Sequence, residues 1–260
     1  MFNRPPQTYE MTPGLIENIV KDEANPLKRI CALIPAGSTI LDIGAGNGLM
    51  ALLLKKSGKQ VIIDGIELSP QAAAIASPHY RRFFTGYAQD FAREITETDY
   101  DFIILADVIE HVMDPLTFLH DLSSRIGDRT RLVLSVPNVA FGAVRLALLD
   151  GRFDYVDSGL LERTHLRFFT LNTIEQLIHE LGMNAEKIYF LQRDIFTCEI
   201  DLSSVPISPF CLSKMSQDQL AWTYQFLLVL TREQVMTEKR SFGKKVFFPV
   251  LRYVLRKAFT

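Results

Sequence analysis

Beyond residue 38 the apolar positions fall into short, nearly unbroken runs, separated by segments in which they recur at helical intervals. The runs cover 40–43, 61–66, 102–105 and 132–136. Strands covered on both faces read this way, whereas a strand with one wet face alternates. Helical spacing marks 49–56, 70–75 and 115–126. Two of these segments open with a capping side chain before a proline, at Ser69-Pro70 and Asp114-Pro115. Alternation of this kind predicts an α/β fold built on a doubly wound, mainly parallel sheet.

The flanks follow other rhythms. Thr12-Pro13 and Asn25-Pro26 start two helices within 1–35, ahead of the main domain at 36–231. Past Pro137 the pattern loosens, and 138–169 forms a long connection rich in Arg, Asp and aromatic residues. Connections of that length are usually lids or binding loops. Thr170 caps a helix running to about His179, and Gly182 stops it. Strand-like runs return at 187–191 and 222–231, with 194–216 as an irregular insertion between them.

Composition narrows the function. The chain has 260 residues, 48% hydrophobic and 22% charged, which suits one sizeable core. A net charge of -2 gives no reason to expect a nucleic-acid partner. Cys31, Cys198 and Cys211 lie too far apart for metal or redox spacing and fit a reducing cytoplasm. The N-terminus carries no signal-peptide pattern, and no apolar run is long enough to span a membrane. Charge is uneven: residues 232–260 hold eight Lys/Arg and two Glu, a net of +6, leaving -8 on the rest. Within that basic amphipathic tail, Phe247, Phe248, Leu251, Val254, Leu255 and Ala258 recur at helical spacing. This predicts peripheral contact through 243–259 with the inner face of a membrane, or docking on the chain's own domain or on a second copy in a homodimer.

The run Ile40-Leu41-Asp42-Ile43-Gly44-Ala45-Gly46-Asn47-Gly48 ends a strand and opens a helix. Glycines there let the backbone turn tightly and approach a ligand. Glu67 ends the next strand and can accept hydrogen bonds from ribose hydroxyls. Dinucleotide enzymes use a similar turn, but their third glycine follows the second by three positions, and Gly48 follows Gly46 by two. Asp42 would crowd a pyrophosphate, whereas the cationic S-adenosylmethionine suits it. An NAD-dependent sugar enzyme is therefore the weaker alternative.

LDIGAGNG, DGIELSP, YDFIILADVIEHVMDPLTFL and LVLSVPN resemble, in order and spacing, the four signature segments of class I S-adenosylmethionine-dependent methyltransferases. The resemblance implies a Rossmann-like, seven-stranded sheet with a lid insertion after strand 5 and N-terminal helices covering the cofactor. It implies that Asp42, Gly44, Ala45, Gly46, Gly48 and Asp107 line the methionine and ribose side. It further implies that Glu67 holds the ribose and that Leu68 packs on adenine. Tyr87 stands where the family often has an adenine-binding Asp, leaving that contact to Ala88, Gln89 or Asp90.

Asp107, Glu110 and His111 are spaced i, i+3, i+4, and His165 follows in the long connection. A helix would present the first three on one side. One reading makes His111 or His165, with Asp107, the general base for a hydroxyl acceptor. Another makes Asp107, Glu110, His111 and His165 ligands of a divalent cation such as Mg, an arrangement that resembles the metal site of methyltransferases acting on small-RNA 3′ ends and is also similar to ubiquinone-pathway O-methyltransferases. A third makes Asp107 and Glu110 a capping box with no chemistry. Arg145, Arg152, Tyr155, Arg163 and Arg167 either bind an anionic acceptor or form surface ion pairs. GRFDYVDSGLLERTHLRFFT and WTYQFLL resemble methyltransferases found with cell-surface glycan enzymes, which implies O-methylation of a small molecule or glycan sugar. A methyltransferase-like partner or membrane adaptor without catalysis is the remaining alternative.

Overall fold

The computed structural model of the chain describes residues 14–233. Seven strands form one sheet: β1 (Thr39–Ile43), β2 (Ile62–Glu67), β3 (Phe83–Thr85), β4 (Phe102–Ala106), β5 (Arg131–Pro137), β6 (Asn184–Gln192) and β7 (Thr223–Thr231). Their order is β3-β2-β1-β4-β5-β7-β6. The first five are parallel, while β7 runs antiparallel to both β5 and β6, so the sheet is mixed.

The unbroken apolar runs have the expected cause. Leu41, Ile103 and Leu132 point into one core, with Leu119 and Ile178 from the covering helices Pro115–Ser124 and Leu171–Glu180. Ile40, Ile104 and Val133 point into the opposite core, with Ile30 and Leu54 from Pro26–Leu33 and Leu49–Lys56. Successive strand residues thus meet different helices, and both must be apolar. Truncating Ile104, which is fully buried, to alanine would cost about 2–5 kcal/mol.

Helix starts match their caps: Asn25, Ser69, Asp114 and Thr170 each accept a first-turn backbone N–H. Thr12 and Pro13 lie outside the described residues, and the first described helix, Leu15–Lys21, follows Gly14. The tail beyond residue 233, with its amphipathic face at 243–259, also lies outside them. Among the described residues no helix is long and apolar enough to cross a membrane.

The long connection and the insertion are better ordered than their patterns predict. Residues Gly142–Leu149 form a helix, as do Pro209–Ser216 and Gln219–Trp222. Phe141, Val144, Leu160, Ile195, Leu212 and Trp222 make a third apolar cluster beside the sheet. GAVRLALL is apolar on most of its circumference because helix and insertion bury it together.

Candidate functional site

All five parallel strands end on one edge, and β1 lies between β2 and β4, which is where strand order reverses. Ligands in such sheets bind in the crevice at that switch point. Asp42 stands at the end of β1, buried, and its Oδ2 accepts the Tyr80 hydroxyl at 2.6 Å. Burial pushes its carboxyl up to about 6, against the Tyr80 hydrogen bond and with help from the Glu67 charge.

The turn that follows is anchored to β2. Gly44 and Ala45 N–H both donate to the Ile66 carbonyl, at 2.9 and 3.1 Å. Glu67 accepts from Gly46 N–H through Oε2 and from Ser69 N–H through Oε1, each at 2.8 Å. Gly48 is the N-cap residue of Leu49–Lys56. Gly44 and Gly46 adopt φ of 75° and 53°, a conformation glycine enters without strain. A Cβ on Gly44 would lie 2.6 Å from Val108 Cγ2, whereas one on Gly46 would meet nothing within 4 Å. The turn is therefore packed below and open above.

Leu68 is exposed beside it, and Ala88 is buried in the turn Ala88–Phe91 after β3. Gln89 is exposed, while Asp90 is committed to the Tyr87 N–H at 3.1 Å. Asp42, the glycine turn, Glu67 and the 86–90 segment thus come to one edge, as the motifs predict.

The segment after β4 departs from expectation. It is no α-helix but a 3₁₀ turn, Ile109–His111, and Val108 rather than Asp107 precedes it without a side-chain cap. The capping-box reading fails accordingly. Asp107 is the one described non-glycine residue with positive φ, at 56°. Its Oδ1 accepts from Ser135 Oγ at 2.8 Å and from Gln225 Nε2, and its N–H donates to Ser135 Oγ at 3.0 Å. This clamp commits Asp107 to β5 and β7, and the cluster of potential ligand atoms described next does not include it. Burial raises its carboxyl pKa, opposed first by the Ser135 bond.

Three of the four expected ligands do converge. Glu110, His111 and His165 each bring one ligand atom within 4.8 Å of the others. The connection delivers His165 because Leu166 and Arg167 N–H both donate to the Glu110 carbonyl, at 2.8 and 3.0 Å. His111 Nδ1 lies 3.2 Å from the Thr164 carbonyl, and His165 Nδ1 lies 3.1 Å from that of Leu160. A carbonyl only accepts, so both rings carry a proton on Nδ1, and in the neutral tautomer it is Nε2 that holds the lone pair. Glu110 is 1% exposed, and neither carboxylate oxygen has a hydrogen-bond partner. Burial, then the Asp107 charge, pushes its pKa well above the usual carboxylate range. Burial, then His111, lowers that of His165.

The arginines of the connection are engaged with protein groups. Arg145 pairs with Asp218, Arg152 with Asp154 and Arg163 with Asp157, while Arg167 donates to the Met113 carbonyl. The surface ion-pair reading describes the first three.

Motif reading missed Tyr80, Ser135 and Gln225. Ser135 and Gln225 are buried polar residues within otherwise apolar strands, a signal that was available.

The chain belongs to the methyltransferase domain family, whose model matches residues 20–188. Among curated proteins it is 25% identical over 186 residues to a ubiquinone biosynthesis O-methyltransferase of Cereibacter sphaeroides, covering 68% of this chain and 73% of that one. Among solved structures it resembles a SAM-dependent methyltransferase from Archaeoglobus fulgidus, with TM-score 0.57, 16% identity and coverage of 80% and 92%. It also resembles magnesium protoporphyrin IX methyltransferase from Synechocystis with bound SAH, with TM-score 0.54, 13% identity and coverage of 85% and 89%. At those identities the structures speak for the fold, which is the class I methyltransferase sheet. Family, sheet order and glycine turn together define a class I S-adenosylmethionine-dependent methyltransferase, and the nicotinamide alternative falls.

Proposed function

We propose that this chain methylates a hydroxyl oxygen of a small acceptor, and that Glu110, His111 and His165 activate that hydroxyl as ligands of a divalent cation. The observation that carries this reading is Glu110: a buried carboxyl with both oxygens unpartnered, clustered with the His111 and His165 imidazoles. Burial keeps this carboxyl protonated and without hydrogen-bond partners, a costly arrangement that a cation binding its ionised form would relieve. The Nδ1 contacts to carbonyls are the outer-shell pattern that orients metal-binding histidines. Two imidazoles and one carboxylate suit manganese, iron or zinc better than magnesium, which favours oxygen ligands. A cation there would lower the pKa of a bound hydroxyl. Ubiquinone-pathway relatives favour a phenolic acceptor over a glycan sugar.

In the cradle, Asp42 and Glu67 flank the glycine turn with negative charge, matched to a ligand with a cationic sulfonium and ammonium. Glu67 binds the ribose hydroxyls, Leu68 covers adenine, and Ala88 with Gln89 lines the adenine edge. Gly46 leaves its upper side for the ligand. When bound, S-adenosylmethionine would supply the methyl group and depart as S-adenosylhomocysteine, while the proton of the acceptor hydroxyl would pass to solvent or to His111. Positioning donor and acceptor about 3 Å apart is the main requirement.

A metal-free reading has its own support: His111 is only half-buried, so an acceptor could approach its ring. Elemental analysis of the purified protein, followed by S-adenosylhomocysteine release over a panel of catechols, phenols and sugars with and without chelator, separates the two. Metal retained by the wild type and lost in E110Q supports the cation. Turnover unchanged in excess chelator assigns the proton to His111. No turnover on any hydroxylated acceptor counts against O-methylation.

A further inference from the structure

Tyr80 lies between the helix Pro70–Ala76 and β3, outside the motif segments. Its hydroxyl donates to Asp42 Oδ2 at 2.6 Å. The Ala51 backbone, in the first turn of Leu49–Lys56, also acts on the phenol, opposing the burial that raises its pKa. That helix has glycine at its N-cap and no side-chain capping bond, so its first-turn N–H groups need partners from elsewhere. The ring reaches this position because Gly65, opposite Asp42 in the β1–β2 register, has no side chain. A Cβ there would sit 2.9 Å from Tyr80 Cδ1 and 2.5 Å from Phe83 Cε2. Phe83 holds the ring edge to face, with centroids 5.0 Å apart.

We propose that Tyr80 is a positioning residue of the cofactor cradle, pinning the Asp42 carboxylate, ionised and oriented, for the cationic end of S-adenosylmethionine. One side chain thereby ties the end of β1 to the helix that carries the glycine turn. The hydrogen bond stabilises the charged carboxylate, which burial and the facing charge of Glu67 would otherwise protonate. Among the described residues, Tyr80 by its hydrogen bond and Glu67 by its charge are the titratable groups that act on Asp42. The inference rests on Asp42 lining the cradle, and D42N tests that premise separately.

Calorimetric titration of the full chain with S-adenosylmethionine, between pH 5.5 and 8, tests the proposal. Y80F is expected to bind about tenfold more weakly at pH 7, given the strength of hydrogen bonds to charged groups. The pH at which binding is half lost is expected to rise in Y80F. In D42N, adding Y80F is expected to change affinity less than twofold, because the effect passes through Asp42. Should Y80F not fold, Y80M fills the same ground without a donor and is expected to bind as weakly. Wild-type affinity and midpoint in a folded Y80F or Y80M overturn the proposal, as does a loss of the same size in the D42N background. Unchanged affinity in D42N alone overturns the cradle assignment instead.

Discussion

The His111 and His165 rings meet edge to face with centroids 4.8 Å apart, although 53 residues separate His111 from the Thr164 carbonyl that its ring also meets. Each ring turns Nδ1 to a backbone carbonyl. Nitrogen-15 spectra of the metal-free protein should therefore show both neutral rings as the Nδ1–H form. His165 should take up its second proton below the usual histidine value, since burial and then His111 lower its pKa. An Nε2–H ring at either position would contradict the site as described.

Glu110 gives a prediction with opposite signs in two conditions. Without metal, E110Q should be as stable as the wild type or more so, because it removes a buried carboxylate with no partner. With manganese at about a hundred times its Kd, the wild type should gain about 2.7 kcal/mol and E110Q little. Thermal melts with and without the ion read both. Equal shifts in the two proteins would remove Glu110 from the ligand set.

How much of this was legible in the sequence depended on whether the cause was local. β1, β2, β4 and β5 announced themselves because strands covered on two faces carry long apolar runs. β3, with three residues after two arginines, is too short for any period to show. The Asn25, Ser69, Asp114 and Thr170 caps were readable because a cap binds its own helix. Asp107 and Glu110 have capping-box spacing too, yet β4 runs into a 3₁₀ turn. What decides it is a clamp from Ser135 and from Gln225, 118 residues away in sequence. The glycine turn and Glu67 were found by motif, whereas Tyr80 reaches Asp42 through the gap left by Gly65.

Asp42 makes stability depend on pH. Its folded pKa of about 6 lies above the ordinary 3.8, so the folded state binds the proton more tightly than the unfolded chain. The associated stability is complete below about pH 4 and is lost as pH rises through 6, by about 3 kcal/mol from the shift. In ligand-free protein, the stability difference between D42N and wild type should widen in favour of D42N over that window. Denaturant melts at pH 4.5 and pH 7 check this. A difference that stays constant would contradict the buried, raised carboxyl.

Gly44 and Gly46 should separate folding from binding. G44A places a Cβ against Val108 at positive φ and should cost stability, by about 2–3 kcal/mol. G46A meets no neighbour, so the fold should lose only about 1–2 kcal/mol for the left-handed backbone. Its methyl group would project into the ligand's space, so cofactor affinity should fall at least tenfold. Denaturant melts and calorimetry on both variants give the comparison.

The central claim is that two carboxylates on adjacent strands, Asp42 and Glu67, hold S-adenosylmethionine over the turn between them. Calorimetric titration of the wild type, D42A and E67A with S-adenosylmethionine tests it most directly. Saturable binding in the wild type, weakened at least tenfold in each variant while both remain folded, is the predicted result. Absence of binding in the wild type, or undiminished affinity in folded D42A and E67A, would contradict the account.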